Sequence, residues 1–231
     1  MTFLGDFMNK PIVVSITTWP PRIGFVFKCL TSILNQTVKP DLIRLSASAQ
    51  QFPNRLNDFP EDLKDLISKN QSIKVIFEEG DIGPFRKEII PASKLYGNSY
   101  FLLTIDDDFY YKENYIETML KKLGNYDEFS PHAAGVQGNQ HIMRGEILLP
   151  CFWLNLTKEI VDTRINDTWI TAYLVRIKAN MRWEECPEIF NDLATEIEEG
   201  KKTITNCKMT GGYPIELQRK AMELSFEALR N

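Results

Sequence analysis

The sequence lacks several features that would place it in large classes of protein. Its 27 Lys and Arg are outnumbered by 31 Asp and Glu, which gives a net charge of −4 and no electrostatic footprint for nucleic acid. No apolar run reaches the length of a transmembrane helix, and MTFLGDFMNK at the start is too short and too acidic for a signal peptide. The four cysteines, Cys29, Cys151, Cys186 and Cys207, form no CxxC or metal-binding pattern. We therefore expect a soluble cytoplasmic protein with reduced thiols.

An alternation of apolar strands and amphipathic helices organises the first half of the chain. With 231 residues, 43% of them hydrophobic, the chain can bury one sizeable core, and we predict a single domain over 1–231. The predicted strands and helices, in chain order, are Pro11–Thr17, Phe25–Gln36, Asp41–Ala47, a short helix from Pro60, Ile73–Phe77, Phe85–Tyr96, Tyr100–Ile105 and Glu113–Leu123. This β-α-β-α-β-α-β-α order predicts an α/β fold with a mostly parallel sheet flanked by helices.

The second half of the chain has a less regular pattern. We predict two strands that form a hairpin or a sheet edge, then a helix, a turn and a closing amphipathic helix. These elements cover, in order, Ala133–Gln137, Glu146–Leu149, Asn166–Lys178, Thr210–Pro214 and Ile215–Leu229. Asn166 or Asp167 is the predicted N-cap of the helix that begins there.

Three consecutive aspartates follow the apolar strand Tyr100–Ile105 with no turn residue between them. If the chain stays extended, Asp106 and Asp108 point to one side and Asp107 to the other. Two carboxylates on one side repel each other unless a cation lies between them, and such oxygen ligands suit Mg²⁺ or Mn²⁺ completed by substrate phosphates. Ligands of open α/β sheets bind at the carboxyl ends of the strands. The alternative interpretation is a solvated acidic turn.

Four blocks of sequence occur in an order that resembles a known family. They are VVSITTWPPR, GDIGPFRK, FLLTIDDDFYY and NDTWITAYL, and they span roughly Pro11 to Trp183. Together they resemble the GT-A type nucleotide-sugar glycosyltransferases, in particular small, family 2-like bacterial transferases with a cytoplasmic catalytic domain. The resemblance implies a Rossmann-like half, about 1–123, that holds the nucleotide-sugar, and an acceptor-side half, about 124–231.

The function that this resemblance implies is metal-dependent transfer of a sugar. The donor would be a UDP- or GDP-sugar, the acceptor a hydroxyl of a glycan or another molecule, and the cofactor Mn²⁺ or Mg²⁺. The expected type is an inverting hexosyltransferase of bacterial surface polysaccharide synthesis. Such enzymes can dock on the inner face of the membrane, although no basic amphipathic helix argues for it in this sequence.

The residues of the donor site are carried over by position from the resemblance. The loop after the first strand is implied to meet the base and ribose, the loop after the third strand to close around the nucleoside, a lysine to reach the diphosphate, and the acidic element to face the donor. These four groups are Thr17, Thr18 and Arg22; Asp81 and Gly83; Lys87; and Asp106 and Asp107.

The same resemblance implies the metal ligands and the base. Asp106 and Asp108 occupy the positions of a DxD element, with Asp108 toward the metal and Asp106 toward the ribose or sharing the ion. Asp167 is implied to be the catalytic base, which takes a proton from the acceptor hydroxyl. One departure is visible, because similar proteins often have two acids where this chain has Asn166-Asp167.

Structural interpretations of these residues stay open beside the functional ones. Arg22 could be a surface arginine, Lys87 could lie with Arg86 on a solvated helix face, and Asp167 could be only an N-cap. The threonine hydroxyls and the glycines could serve backbone hydrogen bonds and a tight turn. Two other functions stay open as well. A nucleotidyltransferase would carry glycines after the first strand, where TTWPPR has none, and a nucleotide-sugar-binding module would lack catalysis.

Overall fold

The computed structural model describes residues 10–123, 132–136, 140–184, 190–192 and 215–230. The strands are β1 Ile12–Thr17, β2 Leu42–Ser48, β3 Ile73–Glu78, β4 Phe101–Ile105, β5 Phe109–Tyr111, β6 His132–Val136, β7 Gln140–Arg144, β8 Asn180–Glu184 and β9 Phe190–Asp192. The helices are α1 Ile23–Leu34, α2 Glu61–Lys69, α3 Arg86–Lys94, α4 Tyr115–Leu123, α5 Cys151–Leu154, α6 Lys158–Asp162, α7 Asn166–Arg176 and α8 Ile215–Ala228.

A seven-stranded sheet in the order β3-β2-β1-β4-β7-β6-β8 forms the centre of the molecule. β3, β2, β1 and β4 are parallel neighbours, and β7 runs antiparallel to both β4 and β6. A separate pair, β5 with β9, is antiparallel. The predicted α/β fold with a mostly parallel sheet is confirmed.

Two apolar cores cover the two faces of this sheet. Alternate residues of β1 enter opposite cores, with Val14 in one and Val13 in the other, as the period-two alternation of a strand requires. α1, α2 and α4 cover the first face, and α3, α7 and α8 contribute to the core on the second. All five residues of β4 are buried, because helices cover the sheet on both sides.

One predicted strand of the second half is wrong in position. The segment Glu146–Leu149 does not form a strand, and the chain instead pairs through β7 before a short 3-10 turn at Gly145–Ile147. The reason lies in the pairing of β7 with β4. Arg144 lies opposite Phe101, the first residue of β4, so residues after Arg144 have no residue of β4 to pair with. The predicted turn Thr210–Pro214 lies outside the described residues. Among the described helices, none combines the length and the apolar composition needed to cross a bilayer.

The turn after β7 gives a prediction about stability. A Cβ atom on Gly145 would lie 2.2 Å from Cε1 of Tyr100, and that ring is buried in the second core. We expect Gly145→Ala to lower the free energy of unfolding by about 1–3 kcal/mol, the usual cost of overpacking. Gly24→Ala in α1 is the control, since a Cβ there meets nothing within 4 Å and alanine favours a helix. Equal stability of the two variants in urea denaturation would contradict the prediction.

Candidate active site

A pocket of about 320 Å³ opens beside the carboxyl ends of β1, β3 and β4. This is where open parallel sheets bind ligands, since the loops that leave neighbouring strands converge there. The structure brings to this pocket every residue predicted to face the donor: Thr17, Thr18, Arg22, Asp81, Gly83, Lys87, Asp106 and Asp107.

The acidic triplet lies in a turn and not in extended chain. β4 ends at Ile105, and the triplet turns directly into β5. The hydroxyl of Tyr111 holds this turn, because it accepts a hydrogen bond from Asp106 N at 3.0 Å and donates one to Asp106 O at 3.1 Å. The extended chain on which the predicted placement of Asp106 and Asp108 depended is therefore wrong. Asp106 and Asp107 line the pocket, and Asp108 is fully buried.

Two cations neutralise the triplet from the loop after β1 and from the start of α3. Arg22 Nη2 lies 2.9 Å from Asp107 Oδ1 and also contacts the Asp108 carboxylate. Lys87 Nζ donates to Asp106 Oδ1 at 2.8 Å. Burial by itself lowers the pKa of Lys87, but the negative charge around it, chiefly that of Asp106, raises that pKa above its ordinary value, so the ammonium stays charged. Only 14% of the Arg22 side chain and 2% of the Lys87 side chain are exposed, which excludes a surface arginine and a solvated helix face.

The hydroxyls of the first loop serve the protein in two different ways. Thr17 Oγ1 donates to Ser46 O at 2.9 Å, so it satisfies a backbone carbonyl of the neighbouring strand. Thr18 Oγ1 donates to Asp107 Oδ2 at 2.7 Å and supports the buried carboxylate. Both residues line the pocket, and their predicted contact with base and ribose stays a prediction.

Asp81 is the centre of a second polar cluster that lines the same pocket. Its Oδ1 accepts from Arg86 Nη2 at 2.6 Å and from Gly83 N at 2.9 Å. Its Oδ2 accepts from Gln51 Nε2 and from Arg164 Nη2, both at 3.1 Å. Burial alone would raise the pKa of Asp81, but the bonds from Arg164, Gly83 and Arg86 outweigh it and lower the pKa to about 2. Asp81 thus orders the loop in which the sequence predicted a nucleoside contact.

A buried carboxylate that the sequence did not predict lies behind Lys87. Glu88 is 1% exposed, and Asn166 Nδ2 donates to its Oε1 at 3.0 Å. Burial raises the pKa of Glu88 well above its ordinary value. An acid at position 166 would set a second negative charge against this group. The amide of Asn166 instead supplies a hydrogen-bond donor, which gives a physical reason for the departure seen in the sequence.

Asp167 has the position of a first-turn acid and not of a cap. Ile165 is the N-cap of α7, with no side-chain cap bond, so the predicted cap at Asn166 or Asp167 is wrong. The carboxylate of Asp167 is favourable there because it lies at the positive end of the helix dipole. Asp167 is half-buried and does not line the pocket, although its charge acts on Lys87 and Glu88. Its role as base stays a prediction.

Several pocket residues were missed by the sequence interpretation. Arg86 adjoins Lys87 and was noted only as its basic neighbour, whereas Gln51 and Arg164 carried no signal because each reaches the pocket across a long sequence separation. The residues that line the pocket beyond the predicted set are Trp19, Gln51, Pro84, Arg86, Arg164 and Asn166.

The acidic residues of the pocket suit a divalent ion only in partnership with a ligand. In the part of the chain that the structure describes, no group of three or more His, Cys, Asp or Glu is arranged to hold a metal ion on its own. Mg²⁺ in proteins commonly takes one or two carboxylates and completes its shell with water and substrate phosphates. Asp106 and Asp107 present that donor set to the pocket. Because Asp108 lies behind Arg22, its assignment as metal ligand stays a prediction.

The buried Glu88 gives a prediction about the pH dependence of stability. Because its pKa is raised in the folded state, the folded protein keeps a proton that the unfolded chain releases. This group's contribution to the free energy of unfolding therefore falls as the pH rises above the ordinary glutamate pKa. We expect Glu88→Gln to flatten that decline in denaturation series across pH, and the exposed Glu113→Gln to leave it unchanged. Parallel profiles for wild type and Glu88→Gln would contradict the prediction.

Comparison with known proteins identifies the fold. No family model matches the sequence, and no curated protein matches it. The structure of S. aureus TarS 1-349 in complex with UDP-GlcNAc is similar, with a TM-score of 0.58 and 14% identity over 96% of this chain and 67% of that one. A second structure of TarS 1-349 has a TM-score of 0.52 and 12% identity, over 95% and 81% of the two chains. TarS is a GT-A-type glycosyltransferase, and the chain therefore has the GT-A fold that its sequence blocks predicted.

Proposed function

We propose that the protein is a glycosyltransferase that moves a sugar from a nucleoside diphosphate donor to a hydroxyl acceptor. The observation that carries the proposal is the pocket at the ends of β1, β3 and β4, where buried cations meet an acidic turn. The similarity in fold to TarS, whose structure contains UDP-GlcNAc, supports a UDP-sugar as the donor.

The cations of the pocket fit the charge of a diphosphate leaving group. Negative charge grows on the diphosphate as the glycosidic bond breaks, and fixed positive groups stabilise it without reorganisation. Lys87 is held rigidly at the pocket wall by its 2.8 Å bond to Asp106. Asp106 and Asp107 are the residues that would hold Mn²⁺ or Mg²⁺, and such an ion would act as a Lewis acid on the departing diphosphate.

The acceptor side of the proposal rests on Asp167. Its carboxylate lies at the start of α7, one residue from Asn166 in the pocket wall. A carboxylate in that place can take the proton of an acceptor hydroxyl, and direct attack by the acceptor gives inversion. A hexosyl donor and an acceptor in a bacterial surface glycan complete the proposal.

The first test is nucleotide binding. Thermal unfolding with UDP, GDP, CDP and TDP, each with Mn²⁺ or with EDTA, should show the largest rise in Tm with UDP and Mn²⁺. A ligand at 100 times its Kd stabilises the folded state by about 2.7 kcal/mol. Chelation should reduce the shift if the ion bridges carboxylates and diphosphate, and Asp106→Asn should reduce it in the same way. The proposal fails if none of the nucleotides raises Tm, with or without the ion.

The second test concerns Asp167. We expect Asp167→Asn to lower the turnover rate of a UDP-hexose, measured as released UDP, by about 10²–10⁴-fold, the usual contribution of a general base. The affinity for UDP should be retained. Asp162→Asn is the control, because Asp162 is an exposed acid of α6 that pairs with Lys158. Unchanged turnover in Asp167→Asn would remove the base from the mechanism. Nucleotide binding without turnover in the wild type would indicate a binding module instead.

A further inference from the structure

Arg164 has an unusual backbone at the junction between the two sides of the pocket. It lies one residue before Ile165, the N-cap of α7, and has φ +59°, in the left-handed region. For a residue other than glycine such a conformation costs about 1 kcal/mol or more, so the surrounding structure must hold it in place. On the facing loop Gly83 has φ +54°, and a Cβ there would lie 2.3 Å from Arg164 Nη1. The glycine therefore leaves the space that the guanidinium occupies.

Arg164 is held less firmly than the other cations of the pocket. Its side chain is 43% exposed and pairs with Asp81 at 3.1 Å, whereas the side chains of Arg86 and Lys87 are each 2% exposed. An ion pair this exposed contributes about 0–1 kcal/mol. If Arg164 turned away, Asp81 would keep its bonds to Arg86 and Gly83. Asp81 thus keeps two hydrogen-bond donors when the guanidinium is redirected.

We propose that Arg164 is the cation that changes its partner when the donor binds. In this structure it pairs with Asp81, and in the complex it turns to the diphosphate, which its planar fork can bind through two hydrogen bonds. Because only Ile165, the N-cap, separates Arg164 from α7, this contact also fixes the first turn, which carries Asn166 and Asp167. Donor binding then orders the acceptor side before the acceptor arrives. The inference rests on the proposed function and deepens it.

Arg55 offers a control for the charge and the backbone in a test of this role. It too has a positive φ, +57°, a side chain that is 43% exposed and a carboxylate partner, Glu79 at 3.2 Å. Its guanidinium also donates to Ala49 O at 2.8 Å, but Arg55 does not line the pocket. Glycine adopts a positive φ without strain, so Arg164→Gly and Arg55→Gly remove the same charge and relieve the same backbone strain. Arg164→Lys keeps the positive charge and removes the planar guanidinium, which can donate two parallel hydrogen bonds.

The experiment compares UDP with uridine, which lacks the phosphates, by calorimetric titration. We expect Arg164→Gly to weaken UDP binding roughly 10–100-fold, as for the loss of charge-assisted hydrogen bonds, and to leave uridine binding unchanged. Arg164→Lys should fall between it and the wild type, and Arg55→Gly should match the wild type. Hydrogen exchange in the first turn of α7 should slow on addition of UDP in the wild type, and not in Arg164→Gly.

Three results overturn the inference in distinguishable ways. If the wild type binds UDP and Arg164→Gly binds it as tightly as Arg55→Gly does, the role of Arg164 is wrong and the proposed function stands. If UDP and uridine binding weaken equally, Arg164 only supports the fold, which also overturns the inference. If the wild type binds neither ligand, the proposed function falls and takes this inference with it.

Discussion

The pocket depends on the ion pairs that are buried where β4 ends. Three successive carboxylates would repel each other in a turn with little water, and the sequence supplies no spacer between them. Arg22 meets Asp107 and Asp108, and Lys87 meets Asp106. Removing one partner of a buried pair costs about 3–5 kcal/mol, because the other charge is left without compensation. The loop after β1, the start of α3 and the acidic turn are therefore fixed relative to one another.

Two links of different strength join this arrangement to the acceptor side. The hydrogen bond from Asn166 to Glu88 is buried and ties α7 to α3. The contact between Arg164 and Asp81 is half-exposed and ties the segment that leads into α7 to the loop after β3. A buried bond loses much when broken, because both groups stay away from water, whereas an exposed ion pair loses little. The start of α7 is thus anchored at one point and adjustable at another.

How far the sequence predicts this structure depends on the range of the interactions. The central strands follow from local apolar runs, and their parallel pairing follows from the alternation with helices. The place of β7 does not, because it is set by where β4 begins to offer hydrogen-bonding partners. The extended chain through the three aspartates was also mispredicted, since the period-two rule stops where the chain turns after Ile105. Glu88 and Arg164 were missed because their partners lie 78 and 83 residues away.

The Asn166-Asp167 pair shows why a departure from a family pattern must be judged with its surroundings. The absence of an acid at position 166 left open the alternative that the protein is a nucleotide-sugar-binding module without catalysis. In the structure the amide donates a hydrogen bond to Glu88, a buried carboxyl whose pKa is raised by burial. A second acid there would need to stay protonated or to push Glu88 further from ionisation. Because a local partner accounts for Asn166, the departure gives no independent reason to regard Asp167, the next residue, as catalytically silent.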